Sequence, residues 1–80
     1  NAEYFRDQLT KLIGQFNLDT DGVKDLSIAA LIAKMMGMAD TDEVRSQLTS
    51  LLGMAGSANI ANEKTSRLLG GDASSNGKTV

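Results

Sequence analysis

Large apolar side chains recur three and four residues apart near the start of the chain, and this spacing limits the possible folds most strongly. Phe5, Leu9, Leu12 and Phe16 follow the spacing that puts side chains on one face of an α-helix. Val and Thr, which favour strands, are few and do not alternate with polar residues, so the period of two of a half-buried strand is absent. The sequence therefore predicts an all-α fold.

The pattern predicts a compact bundle of three to four short helices over residues 1–69. The expected helices are Ala2 to Ile13 with Asn1 as cap, Asp21 or Val23 to Met36 with Thr20 or Asp19 as cap, Thr41 to Leu52, and a last helix from Ser57 to Leu69. Residues 70–80 hold too few apolar side chains to offset the entropy of ordering, so we expect a flexible tail or linker there.

Two large apolar residues precede a glycine at four places, which predicts a helix end at each of them. The four segments are Leu12-Ile13-Gly14, Met35-Met36-Gly37, Leu51-Leu52-Gly53 and Leu68-Leu69-Gly70. Glycine adopts the left-handed conformation that closes a helix without a steric cost. Gly-Met-Ala occurs at residues 37–39 and again at 53–55. We attribute this repeat to chance and shared helix-end chemistry rather than to a duplicated unit, because the flanking residues do not align.

The chain contains neither cysteine nor histidine. It therefore lacks a thiolate nucleophile, the usual general base and the commonest metal ligand. A helical chain of 80 residues is also short for enclosing a catalytic cleft. We expect a domain that is not an enzyme and that takes no cofactor, metal ion or small-molecule substrate.

The net charge of the chain is small, and its charged residues are dispersed along the sequence. The formal net charge is -2, and the basic residues occur singly along the chain rather than in a stripe. A phosphate backbone or an anionic lipid surface would meet no concentrated positive field, which favours a protein partner over nucleic acid or membrane. The longest apolar stretch, Ile28 to Met38, is interrupted by Lys34 and Gly37 and is too short to span a bilayer.

An acidic segment after the first helix suggests a calcium-responsive module as one alternative. Positions one, three, five, six and nine of an EF-hand-like loop are occupied by Asn17, Asp19, Asp21, Gly22 and Asp25. Position twelve, which supplies a bidentate carboxylate in such loops, is Ile28. The competing interpretation is a turn followed by a helix cap, because short polar side chains bond to their own backbone.

The middle third of the chain resembles a helix-turn-helix, with Ala33 in the first helix, Gly37 in the turn, and Val44 and Leu48 as apolar anchors. The resemblance implies a DNA-binding regulator as the first alternative to the main function, with the calcium-responsive module as the second. Its candidate base-reading residues are Arg45, Gln47 and Thr49. The segment 41–43, Thr-Asp-Glu, would bring negative charge to the phosphates at the start of the recognition helix, which weighs against this function.

The main functional prediction is a protein-interaction domain with a Met- and Leu-lined face. Methionine side chains are flexible and suit surfaces that accept helical partners, although they also complete small cores. The predicted contact residues are Leu31, Met35, Met36, Met38, Leu48, Leu51 and Met54, with Lys34, Glu43 and Arg45 as a polar rim. The expected partner is another copy of the chain or the rest of an assembly.

Overall fold

A computed structural model of the chain describes residues 2–69, with side chains from residue 3 onward. This part of the chain is all-α, as predicted, and no strand forms in it. Its five helices are α1 (Ala2–Gln15), α2 (Thr20–Val23), α3 (Ile28–Met38), α4 (Asp42–Ser57) and α5 (Thr65–Leu68). The predicted Asn1 cap and the predicted flexible segment 70–80 lie outside the described residues.

The predicted second helix is wrong in its extent, because the chain forms α2 and α3 there instead. Asp19 caps α2 by accepting a hydrogen bond from the Asp21 N–H, and Ser27 caps α3 by accepting one from the Ala30 N–H at 3.1 Å. Between them the backbone leaves the helical conformation to pair with a distant loop. A long-range backbone pairing thus divides a segment that is locally suited to one helix.

The prediction that a helix ends at each of four glycines is wrong at three of them. Gly14, Gly37 and Gly53 all lie inside helices. Consequently α4 runs on to Ser57, and this serine ends a helix instead of capping the next one. The predicted last helix reduces to the single turn of α5, whose N-cap residue Lys64 makes no side-chain cap bond. The fourth position, Gly70, is not among the described residues.

Two asparagines supply the left-handed residues that close α1 and α4. Asn17 has φ 58° and Asn59 has φ 63°, values that asparagine tolerates better than most residues. In both cases the asparagine N–H donates to a carbonyl three residues back and the next N–H donates to one five residues back, which is the Schellman arrangement. The bonds are Asn17 to Gly14 (3.1 Å), Leu18 to Ile13 (3.0 Å), Asn59 to Gly56 (3.1 Å) and Ile60 to Ala55 (2.9 Å).

The start of α3 and the start of α5 are joined by a short antiparallel pairing centred on Ser27 and Lys64. Each bond of one loop has a counterpart in the other, so the two loops are related by a local twofold axis. The paired bonds are Ile28 N–H to Glu63 O (2.8 Å) with Thr65 N–H to Leu26 O (2.8 Å), and Ala29 N–H to Ala61 O (2.9 Å) with Ser66 N–H to Lys24 O (3.0 Å). We call α1 to α3 the first half and α4 to α5 the second half. Their loops and the ends of α1 and α4 make matching hydrogen bonds, and α2 belongs to the first half.

The core draws on the three long helices, and α3 packs most extensively against α4. Its fully buried large side chains are Leu9, Ile28, Leu31, Ile32, Met35 and Leu48. Thr65 is the one buried polar residue of the described part, and its hydroxyl donates to the Leu26 carbonyl at 3.0 Å. Thr41, where the third predicted helix starts, is the N-cap residue of α4, and its hydroxyl accepts from the Val44 N–H at 3.1 Å.

Candidate interaction site

Four of the residues predicted to contact a partner lie in the core of the structure, namely Leu31, Met35, Leu48 and Leu51. The orientation of α3 explains this, because its buried residues recur at helical spacing on the face that packs against α4. The Met35 side chain, for example, is 0% exposed. These four side chains stabilise the fold, and of them Leu51 alone reaches a surface depression, where it is 3% exposed.

The remaining methionines are not gathered into one face. Met36 is half-buried against the core, whereas Met38 is 41% exposed at the end of α3 and Met54 is 37% exposed on α4. Lys34 and Glu43, predicted to lie at the rim, are both exposed. Of the predicted contact residues, Met54 is the one that lines an open groove formed with residues of α1 and α5.

The half-exposed Arg45 side chain makes two hydrogen bonds to other residues of the chain. Its Nη1 donates to Asp42 Oδ1 at 3.0 Å and its Nη2 donates to the Ala39 carbonyl at 3.2 Å, so the guanidinium ties the start of α4 to the end of α3. The Thr49 hydroxyl donates to the Arg45 carbonyl at 2.9 Å, while Gln47 is exposed. Two of the three candidate base-reading side chains thus already have partners inside the molecule.

The acidic segment forms a helix cap and a short helix. Asp19 Oδ1 accepts from the Asp21 N–H at 3.2 Å, and Asp21 Oδ1 lies 3.8 Å from Lys24 Nζ. Across residues 3–69, no three carboxylates come close enough together to hold a metal ion. The geometry is therefore that of the turn-plus-cap interpretation.

An open groove of about 820 Å³ lies where α1, α4 and α5 meet. It is lined by Phe5, Gly53, Met54, Ser57, Ala58, Ile60 and Leu68, and we call it the Met54 groove. No lining residue is charged, so an apolar ligand surface would displace water there without desolvating an ion. A Cβ atom added at Gly53 would meet no atom within 4 Å, so this glycine leaves open space at the groove wall.

Two residues of the groove also line smaller depressions. Met54 lines one with Tyr4 and Gln47, and Tyr4 is 53% exposed. Leu68 lines another with Glu3, Arg6 and Arg67. Arg67 Nε lies 3.8 Å from Glu63 Oε1 in an exposed pair, which contributes little to stability. The groove thus adjoins aromatic and amide groups at Met54, and two guanidinium groups and one carboxylate at Leu68.

Sequence reasoning missed Phe5, Ile60 and Leu68 as groove residues. Phe5 was assigned correctly to an apolar helix face, but the contact that brings this face beside α5 depends on the pairing of two distant loops. The Asn59-Ile60 pair repeats Asn17-Leu18, and this repeat is the sequence signal that marks the matching helix ends.

None of the described helices is both long enough and apolar enough to cross a membrane. Comparison with protein-family models, with curated proteins and with solved structures finds no match to this chain.

Proposed function

We propose that the protein is a non-catalytic interaction domain that binds another protein chain through the Met54 groove. The observation that supports this is an uncharged, open groove that includes an exposed methionine, in a chain without histidine or cysteine. Clefts with apolar linings and a few polar groups at the edge are typical of binding sites.

The side chains available in the groove are sufficient for a specific but modest affinity. Complete burial of a Met or Leu side chain stabilises by about 1.5–3 kcal/mol relative to exposure. Met54 and the half-buried Leu68 each retain part of that contribution for a partner. Because association also costs translational and side-chain entropy, the expected interaction is one that requires complementary shape over the whole groove.

Site-specific photocrosslinking tests the proposal. Benzoylphenylalanine in place of Ser57, which lines the groove, should give covalent adducts of one or a few discrete masses in the protein's native cells. Light scattering of the purified protein over a concentration series then separates a second copy from a different chain, because only self-association makes the mass rise with protein concentration.

The matched control replaces Ser46, an exposed serine on the same helix that does not line the groove. Equal crosslinking from both positions, or no adduct from Ser57 together with a constant monomer mass, would contradict the proposed function.

A further inference from the structure

We infer that the Met54 groove is a redox-sensitive site, in which hydrogen peroxide converts Met54 to its sulfoxide and so opposes binding while the fold stays intact. The inference rests on the proposed function and adds a means of regulating the same site. Enzymatic reduction of the sulfoxide returns the thioether, so the change is reversible.

Methionine thioethers are the only sulfur groups of the chain. The sequence contains four methionines and no cysteine. Cysteine thiolates, which compete for peroxide in many proteins, are therefore absent, and an oxidant of this class meets methionine sulfur instead.

The four methionines differ in how accessible their side chains are. Met35 is 0% exposed, and Met36 is half-buried against the core. Met38 is 41% exposed and Met54 is 37% exposed, so a molecule as small as hydrogen peroxide reaches both from solvent. Of these two, Met54 lines the groove and Met38 does not. One accessible sulfur thus belongs to the proposed binding site, and the other is a reference outside it.

The reaction at Met54 transfers one oxygen atom and two electrons. A lone pair of the sulfur attacks one oxygen of hydrogen peroxide, the O–O bond breaks and an S–O bond forms. The departing hydroxide takes the proton of the transferred oxygen and leaves as water, so the sulfur is oxidised and the peroxide is reduced. The product is a polar side chain in place of an apolar one.

The groove responds to this change because of its lining. No lining residue is charged, and among them only Ser57 has a polar side chain. A partner surface that covers the sulfoxide buries its S–O group, and a polar group that is buried without a hydrogen-bond partner opposes association. The same partner surface covers the unoxidised thioether without this cost. Oxidation therefore lowers the affinity of the groove for an apolar surface.

The fold does not depend on the Met54 side chain in the same way. Met54 belongs neither to the buried core cluster nor to the partly buried side chains that pack against it. The buried residues of α4 are Leu48, Leu51 and Ala55. An oxygen atom added at Met54 therefore leaves the core contacts in place, whereas one added at Met35 would enter the core. Loss of binding and loss of structure are thus separable.

The experiment uses the full chain with benzoylphenylalanine in place of Ser57. The purified protein is treated with hydrogen peroxide, desalted, and irradiated in a lysate of its native cells. Mass spectrometry should find an added oxygen on Met54 and Met38 well before Met35, and the helical circular dichroism should persist. The yield of discrete adducts should fall by about fivefold or more relative to untreated protein. Methionine sulfoxide reductases that act on both epimers should restore the yield.

Three variants assign the effect to one sulfur. Met54→Leu cannot form a sulfoxide, so peroxide should not change its own adduct yield, whatever that yield is. Met54→Gln places an uncharged polar group in the groove and should give a low yield without peroxide. The matched control Met38→Leu removes the exposed thioether outside the groove, and peroxide should still lower its yield as in the unsubstituted chain.

Four results would overturn the inference: oxidation of Met38 without oxidation of Met54, a full adduct yield from the oxidised protein, an equal effect of peroxide on Met54→Leu, or loss of the helical signal on oxidation. Each of them leaves the proposed function standing if the untreated protein gives discrete adducts. An untreated protein that gives no adducts and keeps a constant monomer mass contradicts the proposed function, and the redox-sensitive site is refuted with it.

Discussion

The two halves of the molecule share a backbone plan and differ in how much apolar surface they cover. Each has a long helix closed by a left-handed asparagine and a following helix that begins at the paired loops. In the first half that second helix is α3, of 11 residues, and in the second it is α5, of 4 residues. In both halves the second helix begins at the paired loops. The two helices differ in the apolar side chains that follow this start, and so in how much apolar surface they bury.

The largest expected effect contrasts Leu31 in α3 with Leu68 in α5, which lie equally far along the chain from the paired residues Ser27 and Lys64. Leu31→Ala should lower the free energy of unfolding by about 2–5 kcal/mol, the range for truncating a fully buried leucine. Leu68→Ala removes the same atoms from a half-buried position, so its cost should be clearly smaller. Urea denaturation of both variants measures the difference, and equal losses would mean that the second half is as well covered as the first.

A smaller effect is expected at the two helix ends, where the halves should behave alike. Asn17→Ala and Asn59→Ala should each cost about 1–2 kcal/mol, because alanine is strained at positive φ. The replacements Asn17→Gly and Asn59→Gly serve as controls and should be tolerated, since glycine adopts this conformation without strain. Thermal unfolding of the four variants gives the answer. An alanine variant as stable as its glycine counterpart would exclude the left-handed conformation at that end.

The smallest effect concerns the glycine in the groove wall. Gly53→Ala should stabilise the protein by about 0.4–1 kcal/mol, because alanine favours the helix and its Cβ meets open space. Gly37→Ala, in α3 and also unobstructed, should stabilise to a similar degree. Only the change at Gly53 fills part of the groove, so photocrosslinking from Ser57 should fall in the Gly53 variant alone. Equal crosslinking in the two variants would place the binding site elsewhere.

Much of the helical content follows from local sequence patterns, but several boundaries do not. The spacing from Phe5 to Phe16 identified α1, and the short polar residues offered Thr20 or Asp19 as a cap, of which Asp19 caps α2. The division between α2 and α3 depends on backbone bonds to residues 61–65, which no local pattern contains. Gly14 and Gly53 were taken for helix ends, although the left-handed residue in each case is an asparagine further along.

The candidate site was harder to predict than the fold. Methionine content alone does not separate a core side chain from a surface one, and Met35 and Met54 have the same chemistry at opposite burial. The distinction arises because α3 turns one face to α4, and this orientation is a tertiary property. Arg45, predicted as a rim or base-reading residue, donates hydrogen bonds to Asp42 and to the Ala39 carbonyl across the interhelical turn, and the sequence analysis included neither bond.

The buried hydroxyl of Thr65 has a consequence for the order of folding. A single helical turn is unstable by itself, because fixing its backbone costs more than its few hydrogen bonds return. The Leu26 carbonyl, 39 residues earlier, accepts both the hydroxyl and the amide proton of Thr65. Formation of α5 therefore has to await the meeting of both halves, and hydrogen exchange at the Thr65 amide should require unfolding of the whole domain. The wall of the groove that α5 provides therefore forms last during folding, and it is lost only when the whole domain unfolds.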